Sequence, residues 1–202
     1  MDDVAPPTMD WSLLPLDALS LIFVRLGAVD VLMGAGLVCH SWLMAAKLPE
    51  VWRSIDMDKH EVVLLKGDGV LCQMAKAAVD RSDGQLREFA GRLFVTDELI
   101  KYIVERSPSL TTLRLVSCFG VFSKQLANVI KESPLLELHS LELENIDLIV
   151  RKLTAVLESC PVLEVLGLQY CFLIGSNDEH ALRAEFTRIK ITTLKWDNEC
   201  RD

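Results

Sequence analysis

Residues 11–27 read WSLLPLDALSLIFVRLG, and this stretch decides the fold of the amino-terminal part of the chain. Pro15 suits the first position of a helix, and Gly27 suits the position that ends one. The apolar residues between them recur with helical spacing, at Leu16, Leu19, Ile22, Phe23 and Leu26. Much of the opposite face is also apolar, so this helix is expected to need neighbours on both sides.

A second helix is expected after Asp30, which is a suitable N-cap residue. Residues 31–46 carry no charged side chain, and Gly34 and Gly36 are expected to interrupt the helix that they form. The whole segment 11–57 contains more apolar surface than so short a chain can bury by itself. We therefore predict a small helical module whose outer face binds another protein.

The order and spacing of the apolar residues in this module resemble the F-box family. The matching positions are Trp11 to Pro15, Leu19, Ile22, Phe23, Leu26, Leu37 to Trp42 and Leu48 to Trp52. The resemblance implies a three-helix domain that binds the Skp adaptor of a cullin–RING ubiquitin ligase. It assigns adaptor binding to Leu14, Pro15, Leu16, Ile22, Leu26, Val38, Trp42 and Trp52.

The rest of the chain contains a repeated frame, L-x-x-L-x-L-x-x-C. Clear copies end at Cys118 and Cys171, another lies between them from Leu138, and weaker copies begin at Leu86 and Ile191. The second apolar position falls at residues 89, 113, 141, 166 and 194, so the copies are 24, 28, 25 and 28 residues apart. These periods are typical of leucine-rich repeats, which are about 20 to 29 residues long.

Segments with helical spacing separate these frames, and prolines at 108, 134 and 161 follow the helical segments. A recurring strand and helix predict a solenoid with a parallel sheet. The predicted fold class is α/β, with three parts: a three-helix F-box (11–57), a connecting helical segment (58–81) and a right-handed solenoid of about four to five leucine-rich repeats (82–202). The combination resembles a plant-type F-box protein with leucine-rich repeats. No polar capping helix follows the last frame, so we expect either a short relative or a truncated product.

Composition argues against several classes of function. The net charge of −8 disfavours nucleic-acid binding, which relies on a basic face. The uncharged run 31–46 is shorter than the roughly 20 residues of a membrane span, so we expect a buried helix and no membrane contact. The acidic start, Met1-Asp2-Asp3, does not resemble a signal peptide. Six scattered cysteines without a C-x-x-C pair indicate a reduced intracellular protein of the cytoplasm, the nucleus or both.

The sequence contains no motif for catalysis or metal binding. It has no phosphate-binding glycine loop, no H-E-x-x-H and no cysteine pair at zinc spacing, and its four histidines are isolated. Cys39 is a conceivable nucleophile, but its apolar neighbours are expected to bury it without an electropositive partner. We therefore expect no catalytic residue, no metal and no cofactor.

Four polar residues lie between apolar positions of the repeat frames and are expected to face outward from the sheet. Arg114 and Glu142 occupy the same position on successive strands, and two interpretations stay open for them. They contact a target protein, or they neutralise each other across the sheet. Gln169 and Lys195 are placed similarly.

These observations together predict a non-catalytic substrate receptor of a Skp–cullin–F-box ubiquitin ligase. The helical module is expected to bind the adaptor, and through it the cullin and RING subunits, while the repeats hold an unknown target. The alternative is a binding scaffold outside any ligase, or a decoy that occupies the adaptor without a target. A small-molecule sensor has little support, because no basic cluster lies on the predicted strand face.

Overall fold

The computed structural model describes residues 10–119, 121, 130 and 137–194. Helices alternate with strands after an amino-terminal helical region. The helices are α1 (Leu16–Leu26), α2 (Ala28–Met33), α3 (His40–Ala45), α4 (Val62–Leu65), α5 (Asp68–Arg81), α6 (Asp97–Arg106), α7 (Val150–Ser159) and α8 (Ser176–Glu185). The strands are β1 (Ser54–Met57), β2 (Glu88–Arg92), β3 (Thr112–Val116), β4 (Ser140–Glu144), β5 (Val165–Gln169) and β6 (Lys190–Leu194). Short 3-10 turns lie at Trp11–Leu13, Ala35–Leu37 and Pro49–Trp52.

The strands of the described part form one sheet in chain order, from β1 to β6, and all neighbouring pairs are parallel. One buried row crosses the sheet at Ile55, Phe89, Leu113, Leu141, Leu166 and Ile191. Because side chains alternate along a strand, the residues next to this row point to the opposite, open face. The α/β prediction is confirmed: a helical amino-terminal region precedes a parallel sheet with intervening helices.

The repeats of β2 to β5 share the same hydrogen bonds at both ends of their strands. Before the strands, one carbonyl accepts two amides of the next repeat, as when Thr111 O accepts from His139 N at 2.9 Å and Ser140 N at 3.0 Å. After the strands, a residue with positive φ donates its amide to the last carbonyl of the next strand. These residues are Leu93 (φ 67°), Ser117 (φ 52°), Asn145 (φ 51°) and Tyr170 (φ 56°). The four hydrogen bonds measure between 2.8 and 3.0 Å. The first joins Leu93 N to Val116 O, and the last joins Tyr170 N to Leu194 O.

The predicted second helix is present as three pieces rather than one. α2 begins directly after Gly27, so Asp30 lies inside the helix and is not its N-cap. Gly34 has non-helical φ and ψ of −137° and −74°, which ends α2. A Cβ atom on Gly36 would lie 2.9 Å from the Val31 carbonyl oxygen, so the chain packs closely here only because the residue is glycine. The prediction that Gly34 and Gly36 interrupt the helix is confirmed.

Two features of the repeat array differ from the sequence-based frame. Ser54–Met57, inside the segment assigned to the helical module, is the first strand of the sheet, with Ile55 opposite Phe89. In the last repeat, Ile191 rather than Leu194 lies opposite Leu166, so the last step is 25 residues and not 28. Leu194 ends its strand on the open face and is exposed.

Among the described residues, one hydrophobic core runs through both parts. It extends from Leu19 and Phe23 of α1, past Trp52, to Ile191 of β6. Within the helical region, the rings of Phe23 and Trp42 pack edge to face, and their centroids are 5.5 Å apart. The helical module and the sheet therefore share one interior rather than meeting through a linker.

Candidate functional site

The helical module exposes an unusually large number of apolar side chains. α1 is buried only at Leu19, Ser20 and Phe23, so Leu21 and Val24 point into solvent. The 3-10 turns add Leu13 and Leu37, which are 78% and 74% exposed. So many exposed apolar side chains in one short segment are typical of a protein-binding surface. We call this set the module surface, comprising Trp11, Leu13, Leu16, Leu21, Ile22, Val24, Leu26, Met33, Leu37, Val38 and Met44.

The structure brings five of the eight predicted adaptor-binding residues to the exterior of the module. They are Pro15, Leu16, Ile22, Leu26 and Val38. Leu14 and Trp42 are half-buried and pack against the core. Trp42 Nε1 donates to the Trp11 carbonyl at 3.0 Å, and Ser41 Oγ donates to the Ser12 carbonyl at 2.9 Å. These two bonds hold the first 3-10 turn, and with it Leu13, against α3.

Trp52 is a correction to the predicted surface. Its side chain has no exposed area, and its Nε1 donates to the Ala46 carbonyl at 3.0 Å. The guanidinium of Arg81 lies 5.2 Å from the ring centroid. Trp52 thus joins the module to α5 from inside, and it cannot contact a partner while the protein is folded.

The sequence reasoning did not assign Leu13, Leu21 or Leu37 to the surface, although all three are highly exposed. The sequence does indicate that Leu21 is exposed, because α1 is apolar nearly all round and only one of its sides can face the core. Leu13 and Leu37 lie in 3-10 turns, where the helical period gives no guide to burial.

The open face of the sheet carries a charged network centred on Arg114. Its guanidinium lies 3.1 Å from Glu144 Oε2, 3.5 Å from Asp58 Oδ2 and 3.6 Å from Glu142 Oε2. Partial burial lowers the pKa of Arg114, but the hydrogen bond to Glu144 and the three carboxylates outweigh this effect and leave the pKa above its ordinary value. Arg92 Nε adds a 2.8 Å contact to Asp58.

The predicted ion pair between Arg114 and Glu142 is therefore present, and Arg114 has further partners in Glu144 and Asp58. Gln169 lies on the same open face, at the end of β5 opposite Leu194. Lys195 lies outside the described residues, as does Trp196. Target binding by Arg114, Glu142, Gln169 and Lys195 stays a prediction.

The cysteines divide into two chemical environments. Burial raises the pKa of Cys118 and of Cys160 to about 11, which makes both thiols unreactive near neutral pH. Cys118 Sγ also lies 3.2 Å from the Val116 carbonyl, as expected for the last position of a repeat frame. Cys39 differs from the expectation of burial: it is partly exposed, and hydrogen bonds from Ser41 and from the Trp42 amide lower its pKa.

The described residues contain no group of three or more histidine, cysteine, aspartate or glutamate side chains that could hold a metal ion. In the same part of the chain, no single helix is long and apolar enough to cross a membrane. Leu16–Leu26 and Ala28–Leu37 reach that length and composition only together, and they are bent by 118°.

Comparison with known proteins agrees with this architecture. Residues 11–58 match the family described as F-box-like. The chain is 38% identical to F-box/LRR-repeat protein 23 of Arabidopsis thaliana over 160 residues, which are 79% of this chain and 35% of that protein. It is 35% identical to the F-box protein SKIP19 of the same plant over 187 residues, 92% of this chain and 60% of that protein. A third relative, F-box/LRR-repeat protein 9, is 32% identical over 79% of this chain and 65% of its own length.

A helical domain with an exposed apolar surface, continued by a parallel strand–helix array, is the architecture expected of an F-box protein with leucine-rich repeats. The chain carries an F-box-like domain at residues 11–58, and 79% of it is similar to F-box/LRR-repeat proteins of Arabidopsis. It spans between about a third and two thirds of the length of these three curated relatives.

Proposed function

We propose that this chain is a substrate-recognition subunit of a Skp–cullin–F-box ubiquitin ligase. The module surface binds a Skp-type adaptor, and the repeat array holds a target protein. The chain carries out no bond-making step in this proposal. It raises the effective concentration of the target near the ubiquitin-conjugating enzyme to the order of millimolar. This function belongs to a reduced compartment, the cytoplasm or the nucleus.

The observation that carries the proposal is the module surface, which lies within the part of the chain that matches the F-box-like family. A folded domain that leaves Leu13, Leu21 and Leu37 mostly in water gains free energy when a partner covers them, at about 25 cal/mol for each Å² of apolar surface buried. The names of the relatives describe F-box proteins, and F-box domains in general bind Skp adaptors.

The proposal is tested by co-expression of the full chain with a Skp-type adaptor and size-exclusion chromatography. We expect a one-to-one complex, with chemical cross-links confined to residues 10–58. Leu37→Ser with Val38→Ser should weaken this complex at least about tenfold, because both side chains are largely exposed in the free protein.

The matched control replaces another pair of neighbouring exposed apolar residues. Leu64 and Leu65 lie on α4, outside the F-box-like match, and are 67% and 78% exposed. Leu64→Ser with Leu65→Ser should leave the complex intact. Equal loss of binding in both double variants, or no complex with the unaltered chain, would contradict the proposal.

A second candidate function is a decoy that occupies the adaptor without a target. The internal pairing of Arg114 favours it, since three carboxylates already engage that residue on the open face. A reconstituted ligase distinguishes the two functions. A receptor increases ubiquitination of a protein that binds its repeats, whereas a decoy inhibits other F-box proteins competing for the same adaptor.

A further inference from the structure

The loops after β3 and β5 present phenylalanine at equivalent positions. Phe119 follows Cys118, and Phe172 follows Cys171. Both cysteine thiols donate back to carbonyls of their own and the preceding strand, at 3.2 and 3.5 Å for Cys118 and at 3.6 Å twice for Cys171. The two phenylalanines are nevertheless 61% and 65% exposed.

Asp147 occupies the same position on the repeat between these two. It follows the buried Ile146, which fills the frame position that Cys118 and Cys171 fill in the neighbouring repeats. Adjacent parallel strands lie about 4.8 Å apart, so the register separates the two phenylalanine loops by about 10 Å with Asp147 between them. Burial raises the pKa of Cys171, and the Asp147 carboxylate raises it further, in agreement with a position beside the Phe172 loop.

We propose that Phe119, Asp147 and Phe172 form a notch that receives a lysine or arginine side chain of the target protein. The apolar stem of such a side chain packs against aromatic rings, and its cationic head pairs with a carboxylate and with the ring faces. The proposal rests on the proposed function, since the occupant is taken to belong to the target. We call these three residues the rim notch.

Charge distribution favours this occupant over an acidic one. The two arginines of the open face nearest the rim notch are engaged, because Arg114 and Arg92 both contact Asp58 and Arg114 also contacts two glutamates. Within residues 10–119 and 137–194, no ion pair involves Asp147. The net charge of −8 also attracts cationic partners.

The test is a titration of the 15N-labelled full chain followed by heteronuclear NMR. The probes are three blocked peptides, Ac-Leu-Lys-Leu-NH2, Ac-Leu-Arg-Leu-NH2 and Ac-Leu-Gln-Leu-NH2. We expect saturable shifts of the amides of residues 119, 147 and 172 with the first two peptides. The glutamine peptide should bind about fivefold more weakly, which is the largest loss of affinity expected when an exposed ion pair is removed.

Variants separate the charge of the notch from its aromatic walls. Asp147→Asn should lower the affinity for the lysine peptide about three- to fivefold and leave the affinity for the glutamine peptide unchanged. Phe119→Ser with Phe172→Ser should remove saturable binding of all three peptides without unfolding, because both rings are already exposed. Glu158→Gln is the matched control, since it removes an exposed carboxylate of α7 and should change nothing. Equal affinity for the lysine and glutamine peptides, shifts centred elsewhere, or an unaffected Asp147→Asn variant would each overturn the proposal.

Adaptor binding of the same variants keeps this test independent of the proposed function. All of them should still elute with the Skp-type adaptor, because none lies on the module surface. A chain that ignores the adaptor but selects cationic peptides contradicts the ligase role alone. A chain that binds the adaptor but shows no cation preference at the rim notch contradicts this inference alone.

Discussion

The carboxylate of Asp58 lies 2.8 Å from Arg92 Nε, and its side chain is only 2% exposed. Asp58 directly follows β1, and Arg92 ends β2. Arg114, on β3, contacts the other carboxylate oxygen at 3.5 Å. One buried anion therefore joins the exit of the F-box-like domain to the first two strands that follow β1. Burial of an anion is costly unless it is paired, so these contacts are needed for stability.

Removal of Arg92 tests this arrangement. Arg92→Met should lower the free energy of unfolding by roughly 1–3 kcal/mol, because Asp58 loses its shortest ion pair while it stays buried. Asp58→Asn should lower the free energy of unfolding less in the Arg92→Met background than in the unaltered protein. Urea unfolding of the four proteins of this double-mutant cycle provides the measurement. Lys59→Met is the control, because the Lys59 side chain is 74% exposed, and additive effects in the cycle would refute the coupling.

Trp52 and the pair Leu37 and Val38 should respond in opposite ways to substitution. Trp52→Phe leaves the buried Ala46 carbonyl without its donor, so we expect a loss of roughly 1–3 kcal/mol in unfolding free energy. Leu37→Ser with Val38→Ser should change that free energy by less than about 0.5 kcal/mol, since both side chains are exposed. Thermal unfolding measures both variants. A strongly destabilised Leu37/Val38 variant would show that these residues belong to the core.

The positive φ of Leu93 predicts an unusual order of preference at that position. Leu93→Val should destabilise the protein by about 1–2 kcal/mol, because a β-branched side chain is strained at φ 67°. Leu93→Asn should be neutral within about 0.5 kcal/mol, since asparagine tolerates this conformation. The control is Leu194→Val, at an exposed position without positive φ in the described chain. Chemical denaturation that ranks valine above asparagine at position 93 would be inconsistent with the observed backbone.

Cys118 and Cys160 should make stability fall at alkaline pH. Their pKa in the folded protein is raised to about 11, whereas an unfolded thiol ionises near pH 8.5. The stabilising effect is thus complete below about pH 8.5 and is lost as the pH rises toward 11. At pH 10 each thiol should account for about 2 kcal/mol of lost stability. Urea unfolding between pH 7.5 and 10 measures this slope, and Cys160→Ala should flatten it; an unchanged slope would contradict the assignment.

Much of the architecture could be predicted from leucine spacing, because a repeat frame fixes which residues face the core. The frame failed where a repeat lacks its first leucine. In the last repeat Arg188 stands at that position, and its guanidinium donates to the carbonyls of Leu163 at 2.8 Å and Cys160 at 2.9 Å. A polar side chain that satisfies carbonyls near the end of α7 leaves no apolar signal, so Ile191 resembles the first position of the frame although it fills the second.

The candidate site was less accessible to sequence reasoning. Trp52 belongs to the pattern that resembles an F-box, but a pattern does not distinguish a residue that fills the core from one that binds a partner. β1 was missed because Ser54–Met57 is short and carries only two buried side chains, Ile55 and Met57. The contact of Arg114 with Asp58 could not be predicted, because Asp58 is 56 residues away in sequence and has no place in the repeat frame.

β1 lies inside the F-box-like match and is also the first strand of the sheet. The F-box-like domain and the array are consequently joined without a hinge. Neighbouring strands lie about 4.8 Å apart across the sheet, so under the proposed function the number of repeats would set how far from the adaptor a target is held. Insertion or deletion of one repeat would move the target by a fixed step and would change which of its lysines come within reach of ubiquitin transfer.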